Sequence, residues 1–204
     1  MPVEHYWNHN TAYHPWILSI VAERPRSRVL DVGCGDGLLL ARLAPLAGTI
    51  VGLEPDPATA RAAAARLAHL PHARVEKQTL EEHTPSAPYD IIIFVASLHH
   101  MDLGAALSRA RELLIPGGEL LVVGLSANRS VFDWLVSAVQ VLPVRLGSWL
   151  HREARDIGVP VAAARESIAE IRATARTILP GARLRRGLYY RYLLRWRKPT
   201  TAAR

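Results

Sequence analysis

The chain has 204 residues, half of them hydrophobic and 21% charged, a composition that gives one globular domain a substantial core and is short for two. A single cysteine, Cys34, excludes an intramolecular disulfide and a cysteine-rich metal site, and points to the cytoplasm. No leader segment is expected in the first thirty residues, and no uncharged run reaches the ~20 residues of a membrane span. The net charge of +7 is unevenly placed, because residues 151–204 hold 13 Arg/Lys against 4 Asp/Glu. Such asymmetry can mark an anionic partner. Since 23 of the 25 basic residues are arginine in an alanine- and arginine-rich chain, arginine is also a default surface residue here.

In chain order, residues 1–27 are polar and aromatic, with a short helix predicted over Trp16–Glu23. Arg28–Val32 reads as a buried strand, Leu38–Leu46 as a helix and Thr49–Leu53 as a second strand. Ala58–Leu70 has strong helix propensity and stops at Pro71; Arg74–Lys77 is a short third strand. Tyr89–Val95, "YDIIIFV", is a continuous apolar strand of the kind buried on both faces. Leu103–Leu114 is a helix stopped by "IPGG", and Glu119–Leu125 is a fifth strand. Val131–Leu150 is helical and rich in Trp, Leu and Val, interrupted at Pro143, and Ser167–Leu179 is a further helix. "ARLRRGLYYRYLLRWRKP" alternates basic and apolar residues and predicts a hairpin, at least one of its strands antiparallel, on the sheet edge. Strands alternating with helices at this spacing predict an α/β fold, doubly wound around a seven-stranded, mostly parallel sheet with the last strand antiparallel. The expected organisation is one domain: an N-terminal lid or docking segment (1–27), a core (28–125), a helical cover (126–180) and a C-terminal β-hairpin (181–198).

"RVLDVGCGDGLLLARL", residues 28–43, runs from strand through three glycines into a helix, the layout of a nucleotide-cradling turn. The spacing Gly33-x-Gly35-x-Gly37 departs from the dinucleotide pattern Gly-x-Gly-x-x-Gly. Asp31 ends the strand and Asp36 lies inside the loop, where each would repel a pyrophosphate by ~1–4 kcal/mol per close pair. A ligand with an ammonium or sulfonium suits them. Glu54, in "IVGLEPD", ends the second strand, where an acid takes hydrogen bonds from ribose hydroxyls.

Together "VLDVGCGDG", "GLEPD", "VASLHHM" and "ARELLIPGGELLVVG" resemble the class I S-adenosylmethionine-dependent methyltransferases, in particular the small bacterial, UbiE-like members, over about residues 28–125. The resemblance implies S-adenosylmethionine as cofactor and S-adenosylhomocysteine as product. It implies that Asp31, Gly33 and Gly35 hold the methionine end, that Cys34 and Gly37 shape the loop and that Glu54 grips the ribose. Pro55 and Asp56 should lie by the adenine edge. Thr79 and Leu80, in "KQTLEE", stand where the family often has an Asp that meets the adenine amino group, followed by a residue whose backbone N–H meets the ring. Val95, Ala96 and Ser97 follow the fourth strand, where the methionine end meets the acceptor.

Methyl transfer is an in-line attack, so alignment of the nucleophile supplies much of the acceleration. His100 and His99 stand at the carboxyl edge, where an imidazole can take a proton from a phenol or similar acceptor or orient the substrate. The N-terminal run offers Tyr6, Tyr13 and His14 as substrate contacts, and the Trp-rich stretch 131–150 offers Trp134. His5, His9 and His14 lack a consistent ligand spacing, so no metal is expected. Cys34 reads as a loop filler, and Asp36 and Asp102 as helix caps. The Asn/Asp-Pro-Pro-Tyr/Phe signature of adenine or glutamine methylation is replaced by "VASL", and "SLHHM" lacks the acids of a magnesium site. A small apolar or aromatic acceptor is the leading expectation, with O, N or C as the attacking atom. An RNA methyltransferase using the basic tail and a non-catalytic binder of S-adenosylmethionine are the alternatives. Nucleic acid and membrane surfaces are disfavoured as partners, and monomer and homodimer both stay open.

Overall fold

The computed structural model describes residues 6–127, 129 and 164–200. Their arrangement follows from one seven-stranded sheet whose strands are mostly buried on both faces. The strands are β1 (Arg28–Val32), β2 (Thr49–Leu53), β3 (Ala73–Glu76), β4 (Tyr89–Val95), β5 (Leu114–Leu125), β6 (Arg183–Arg186) and β7 (Arg191–Arg197). Their order is β3-β2-β1-β4-β5-β7-β6, with β7 alone running against its neighbours. The order reverses between β1 and β4, the switch point at which open α/β sheets leave a crevice beyond the strands' carboxyl ends.

The helices are α1 (His14–Ala22), α2 (Leu38–Leu43), α3 (Pro57–Leu67), α4 (Leu103–Leu113) and α5 (Ile168–Ile178). The pleat divides the core between them. Val29, Ile91, Ile93, Leu121 and Leu193 pack against α1, α2 and α3; Leu30, Ile92, Phe94, Leu120 and Trp196 pack with α4 and α5. This two-sided burial is why "IIIF" shows no alternation.

Local chemistry sets the ends. Helix α1 starts two residues before Trp16, with Pro15 in its first turn, where a missing N–H is harmless. Helix α2 stops at Leu43, short of Leu46, because Pro45 cannot continue it. Asp56 caps α3 by accepting from Thr59 N at 2.8 Å, and Asp102 caps α4 by accepting from Ala105 N at 2.7 Å. A reciprocal Ser167–Glu170 capping box opens α5. Strand β5 begins at Leu114, well before Glu119, because Leu114 pairs with Tyr89 across an irregularity that resumes regular register at Ile91–Glu119. The helix expected over Val131–Leu150, and with it most of the expected helical cover, lies outside the described residues.

The basic tail is tied inward. Arg195 Nε lies 2.7 Å from buried Glu119, which Arg24 also meets at 3.2 Å. Arg197 donates to the Gly117 carbonyl, and Lys198 Nζ to those of Arg111 and Leu114. At the β5–β7 junction the buried Tyr192 ring lies directly over Gly124, where any Cβ would run into it. Gly124→Ala is therefore expected to destabilise the fold by ~1–3 kcal/mol, the usual cost of overpacking, read from the urea midpoint. An unchanged midpoint would contradict the close approach.

Candidate functional site

A cavity of about 260 Å³ opens at the carboxyl ends of β1, β2 and β4, lined on one side by the glycine loop and on the other by residues from the N-terminal segment. Asp31, next to last in β1, is 2% exposed, and its Oδ1 is buried with no hydrogen-bond partner. Burial, reinforced by the negative charge of Glu54, pushes its carboxyl up to about 7. Glu54 follows β2 and is 7% exposed; its Oε2 accepts from Gly35 N at 3.1 Å and its Oε1 from Asp56 N at 3.0 Å. A carboxylate offers about four acceptor positions, so a backbone-held Glu54 still has lone pairs for ligand hydroxyls.

The loop geometry depends on close approach. Gly33 has φ +71°, and a Cβ there would stand 2.5 Å from Ser97 Cβ, so the glycine lets the β1 loop touch the end of β4. Ala96 is a non-glycine residue at φ 52°, held there by its N–H donating to Val123 O at 2.7 Å. Strain of this kind persists where the surroundings over-determine it, commonly at functional sites.

Asp36 differs from the sequence expectation. It is not a second acid awaiting a cation, because Arg66 of α3 pairs with its Oδ2 at 2.7 Å. Its Oδ1 accepts from Leu38 N and from the Tyr6 hydroxyl, both at 3.2 Å. The acids buried together at the cavity's strand-end wall are Asp31 and Glu54.

The cavity brings together Tyr6, His14, Asp31, Gly33, Cys34, Gly35, Glu54, Pro55, Asp56, Val95, Ala96, Ser97 and His100 from the expected set. Gly37 instead caps α2 in a left-handed conformation. Thr79 and Leu80 do not line it. Thr79 N donates to Glu82 Oε2 at 2.9 Å, and the Leu80 side chain is buried in the core with Leu53 and Leu103. Tyr13 also turns elsewhere, its hydroxyl donating to Leu188 O at 2.7 Å. His99 is buried off the cavity, its ring 4.2 Å from that of His100. Trp134 lies outside the described residues. Burial pushes the Cys34 thiol up, so it stays protonated and fills space.

Sequence reasoning missed Asn8, Asn10, Thr11, Leu38, Leu39 and Met101, which also line the cavity. A signal existed for Asn8: its Oδ1 accepts from Asn10 N at 3.0 Å and Thr11 N at 2.9 Å, the local turn an Asn before a helix favours. His14 is buried, with Arg42 Nη1 2.9 Å from its Nδ1; burial first, then the Arg42 cation, pulls its pKa down to about 3. His14 is therefore neutral at pH 7 and too weakly basic there to take up a proton. Among the described residues no group of three or more His, Cys, Asp or Glu is placed to hold a metal, and no helix is long and apolar enough to cross a membrane.

An orphaned buried Asp31 oxygen and a backbone-braced Glu54 fit a ligand with a cationic amino-acid end and a ribose. Comparison with known proteins agrees. Residues 30–120 match the sequence model of a methyltransferase-domain family. The chain is similar to an uncharacterized methyltransferase of Mycobacterium tuberculosis, 35% identical over 198 residues, 95% of this chain and 98% of that one. It is similar to a ubiquinone biosynthesis O-methyltransferase of Bradyrhizobium, 37% identical over 130 residues, 61% of this chain and 49% of that one. The fold matches that of a magnesium protoporphyrin IX methyltransferase from Synechocystis with bound S-adenosylmethionine, with TM-score 0.62 and 17% identity over 93% of this chain and 79% of that one.

The raised Asp31 pKa has a consequence for stability. Because it moves from 3.8 to about 7, the native state holds a proton that the unfolded chain releases, and the group's contribution falls as pH rises through that window. His14 acts in the opposite sense, its lowered pKa costing stability as pH falls below 6.5. The Asp31 effect is thus read as a difference: the stability gap between Asp31→Asn and wild type, from urea unfolding, should widen in the variant's favour from about pH 5 to 7. A gap independent of pH would contradict a carboxyl buried in its neutral form.

Proposed function

Because the chain belongs to the class I S-adenosylmethionine-dependent methyltransferases and takes S-adenosylmethionine as cofactor, we propose that its methyl acceptor is a small apolar or aromatic molecule bound in the same cavity. The observation that carries this reading is the shape of the space. At about 260 Å³ the cavity sits below the ~300–1,000 Å³ usual for ligand pockets, and Tyr6, Asn8, Asn10, Thr11 and His14 line its N-terminal side. Leu38, Leu39, Val95, Ala96 and Met101 give it an apolar lining suited to a hydrocarbon or aromatic body.

Bound S-adenosylmethionine supplies an electrophilic methyl carbon on a sulfonium sulfur. The chain's task is alignment and exclusion of water. Val95, Ala96 and Ser97 present the end of β4, the Ser97 hydroxyl donating to the Val32 carbonyl so that β1 and β4 keep one geometry. Tyr6, bonded to Asp36 and through it to Arg66, fixes the start of the N-terminal wall. His100 is the cavity-lining imidazole whose position suits taking a proton from an acceptor hydroxyl. Similarity to an O-methyltransferase of Bradyrhizobium favours oxygen as the attacking atom.

The basic tail gives no support to an RNA acceptor. Arg191 is bound by Asn10, Arg195 by Glu119, and Arg197 and Lys198 by backbone carbonyls, so these cations serve the fold.

His100→Gln should lower kcat/KM at least ~10-fold toward a hydroxyl acceptor found by radiolabelled methyl turnover, with the Kd for S-adenosylhomocysteine unchanged by calorimetry. Normal turnover would retire His100 as the base. A protein that binds the cofactor and transfers its methyl to no component of a metabolite extract would overturn the small-molecule reading.

A further inference from the structure

We propose that Asn8, Asn10 and His14 form a carboxylate-binding wall facing the Asp31–Glu54 pair across the cavity. Each of the three has one side-chain acceptor, and each acceptor is already used. Asn8 Oδ1 takes the N–H groups of Asn10 and Thr11. Asn10 Oδ1 takes Arg191 Nε at 3.0 Å and Nη2 at 2.7 Å. His14 Nδ1 faces Arg42 Nη1 at 2.9 Å, and a guanidinium can only donate, so the ring proton of neutral His14 is on Nε2. What remains to each side chain is a donor: the amide Nδ2 of Asn8, that of Asn10, and the Nε2–H of His14.

Their neighbours on the same wall do not share this property. The Tyr6 hydroxyl gives its proton to Asp36, and the Thr11 hydroxyl both accepts from Asn8 N and donates to Asn8 O. Behind the donors stand two cations, Arg42 and Arg191, which bias the wall toward negative charge. Four acids line the rest of the cavity: Asp36 is paired with Arg66 and Asp56 is held by Thr59, which leaves Asp31 and Glu54 as the buried pair. A cavity polarised in this way suits a ligand with an ammonium at one side and a carboxylate at the other, or a cationic donor beside an acidic acceptor. The shared chemistry is a carboxylate. Its source is either the methionine end of the cofactor or the acceptor itself.

This inference rests on the cofactor seating in this cavity, and two isosteric variants test it. Asn8→Asp and Asn10→Asp keep the oxygen that the turn and Arg191 need, and replace the free amide donor by a second carboxylate oxygen. Calorimetry on the full chain compares S-adenosylhomocysteine with its decarboxylated analogue S-adenosyl-3-thiopropylamine, which keeps the ammonium, while thermal unfolding checks that the variants fold. If the cofactor supplies the carboxylate, each variant should weaken S-adenosylhomocysteine about 10- to 100-fold and leave the analogue within about twofold. His14→Ala should do the same, with part of the loss restored in His14→Gln. If the acceptor supplies it, S-adenosylhomocysteine should bind as before. Protein saturated with it should then bind benzoate in the wild type and not in the variants, with benzyl alcohol indifferent to the change. Variants that leave both S-adenosylhomocysteine and benzoate unaltered would overturn the proposal, as would equal losses for the nucleoside and its decarboxylated analogue. Wild-type protein that binds neither nucleoside would remove the cofactor seat, and this wall with it.

Discussion

The constraint on which the site depends is the burial of two carboxyl groups side by side at the edge of the sheet. β1 and β2 are parallel neighbours, with Asp31 opposite Gly52 and Val32 opposite Leu53, so Asp31 and Glu54 arrive at the same edge from distant points in the chain. Taking carboxylates out of water is costly unless they are paired, hydrogen-bonded or neutralised. Glu54 is braced by backbone N–H groups of Gly35 and Asp56, whereas Asp31 keeps an orphaned oxygen and a raised pKa. That asymmetry makes the pocket receptive to positive charge: a cationic ligand restores to Asp31 the interaction that folding denies it. A pyrophosphate in the same turn would meet both acids.

Around this pair the arginines have internal partners. Arg66 neutralises Asp36, Arg42 fixes the tautomer of His14, and Arg191 holds Asn10 from a position 181 residues away. Arg24 and Arg195 pair with the buried Glu119 of β5. The excess of arginine in the C-terminal part thus acts partly as a set of rigid donors that tie the last hairpin to the N-terminal segment. The result is a cavity with buried acids on one side and donors on the other, walled by the N-terminal segment, which the C-terminal Arg191 braces through Asn10.

Much of this architecture was legible in the sequence. The strand and helix alternation, the antiparallel β7, and the placement of Asp31 and Glu54 at the ends of neighbouring strands follow from local pattern and from motifs placed at strand ends. The misplacements share a cause, since each depends on a partner that pattern cannot supply. Asp36 looked like a ligand-facing acid because nothing local identifies Arg66 as its partner. Thr79 and Leu80 were placed by motif alignment; neither lines the cavity, and the backbone contact expected of Leu80 is compatible with its buried side chain. The early start of β5 at Leu114 rests on an irregular pairing with Tyr89 that no periodicity encodes.

The most direct test of the central claim is the titration of the Asp31 side-chain carboxyl by carbon-detected NMR, in free protein and in the presence of saturating S-adenosylhomocysteine. The account predicts a value near 7 in the free protein, with the proton lost to solvent when the ligand's ammonium arrives, so that the bound form titrates below about 5. A carboxyl that titrates normally in the free protein, or one whose titration the ligand leaves unmoved, would contradict it.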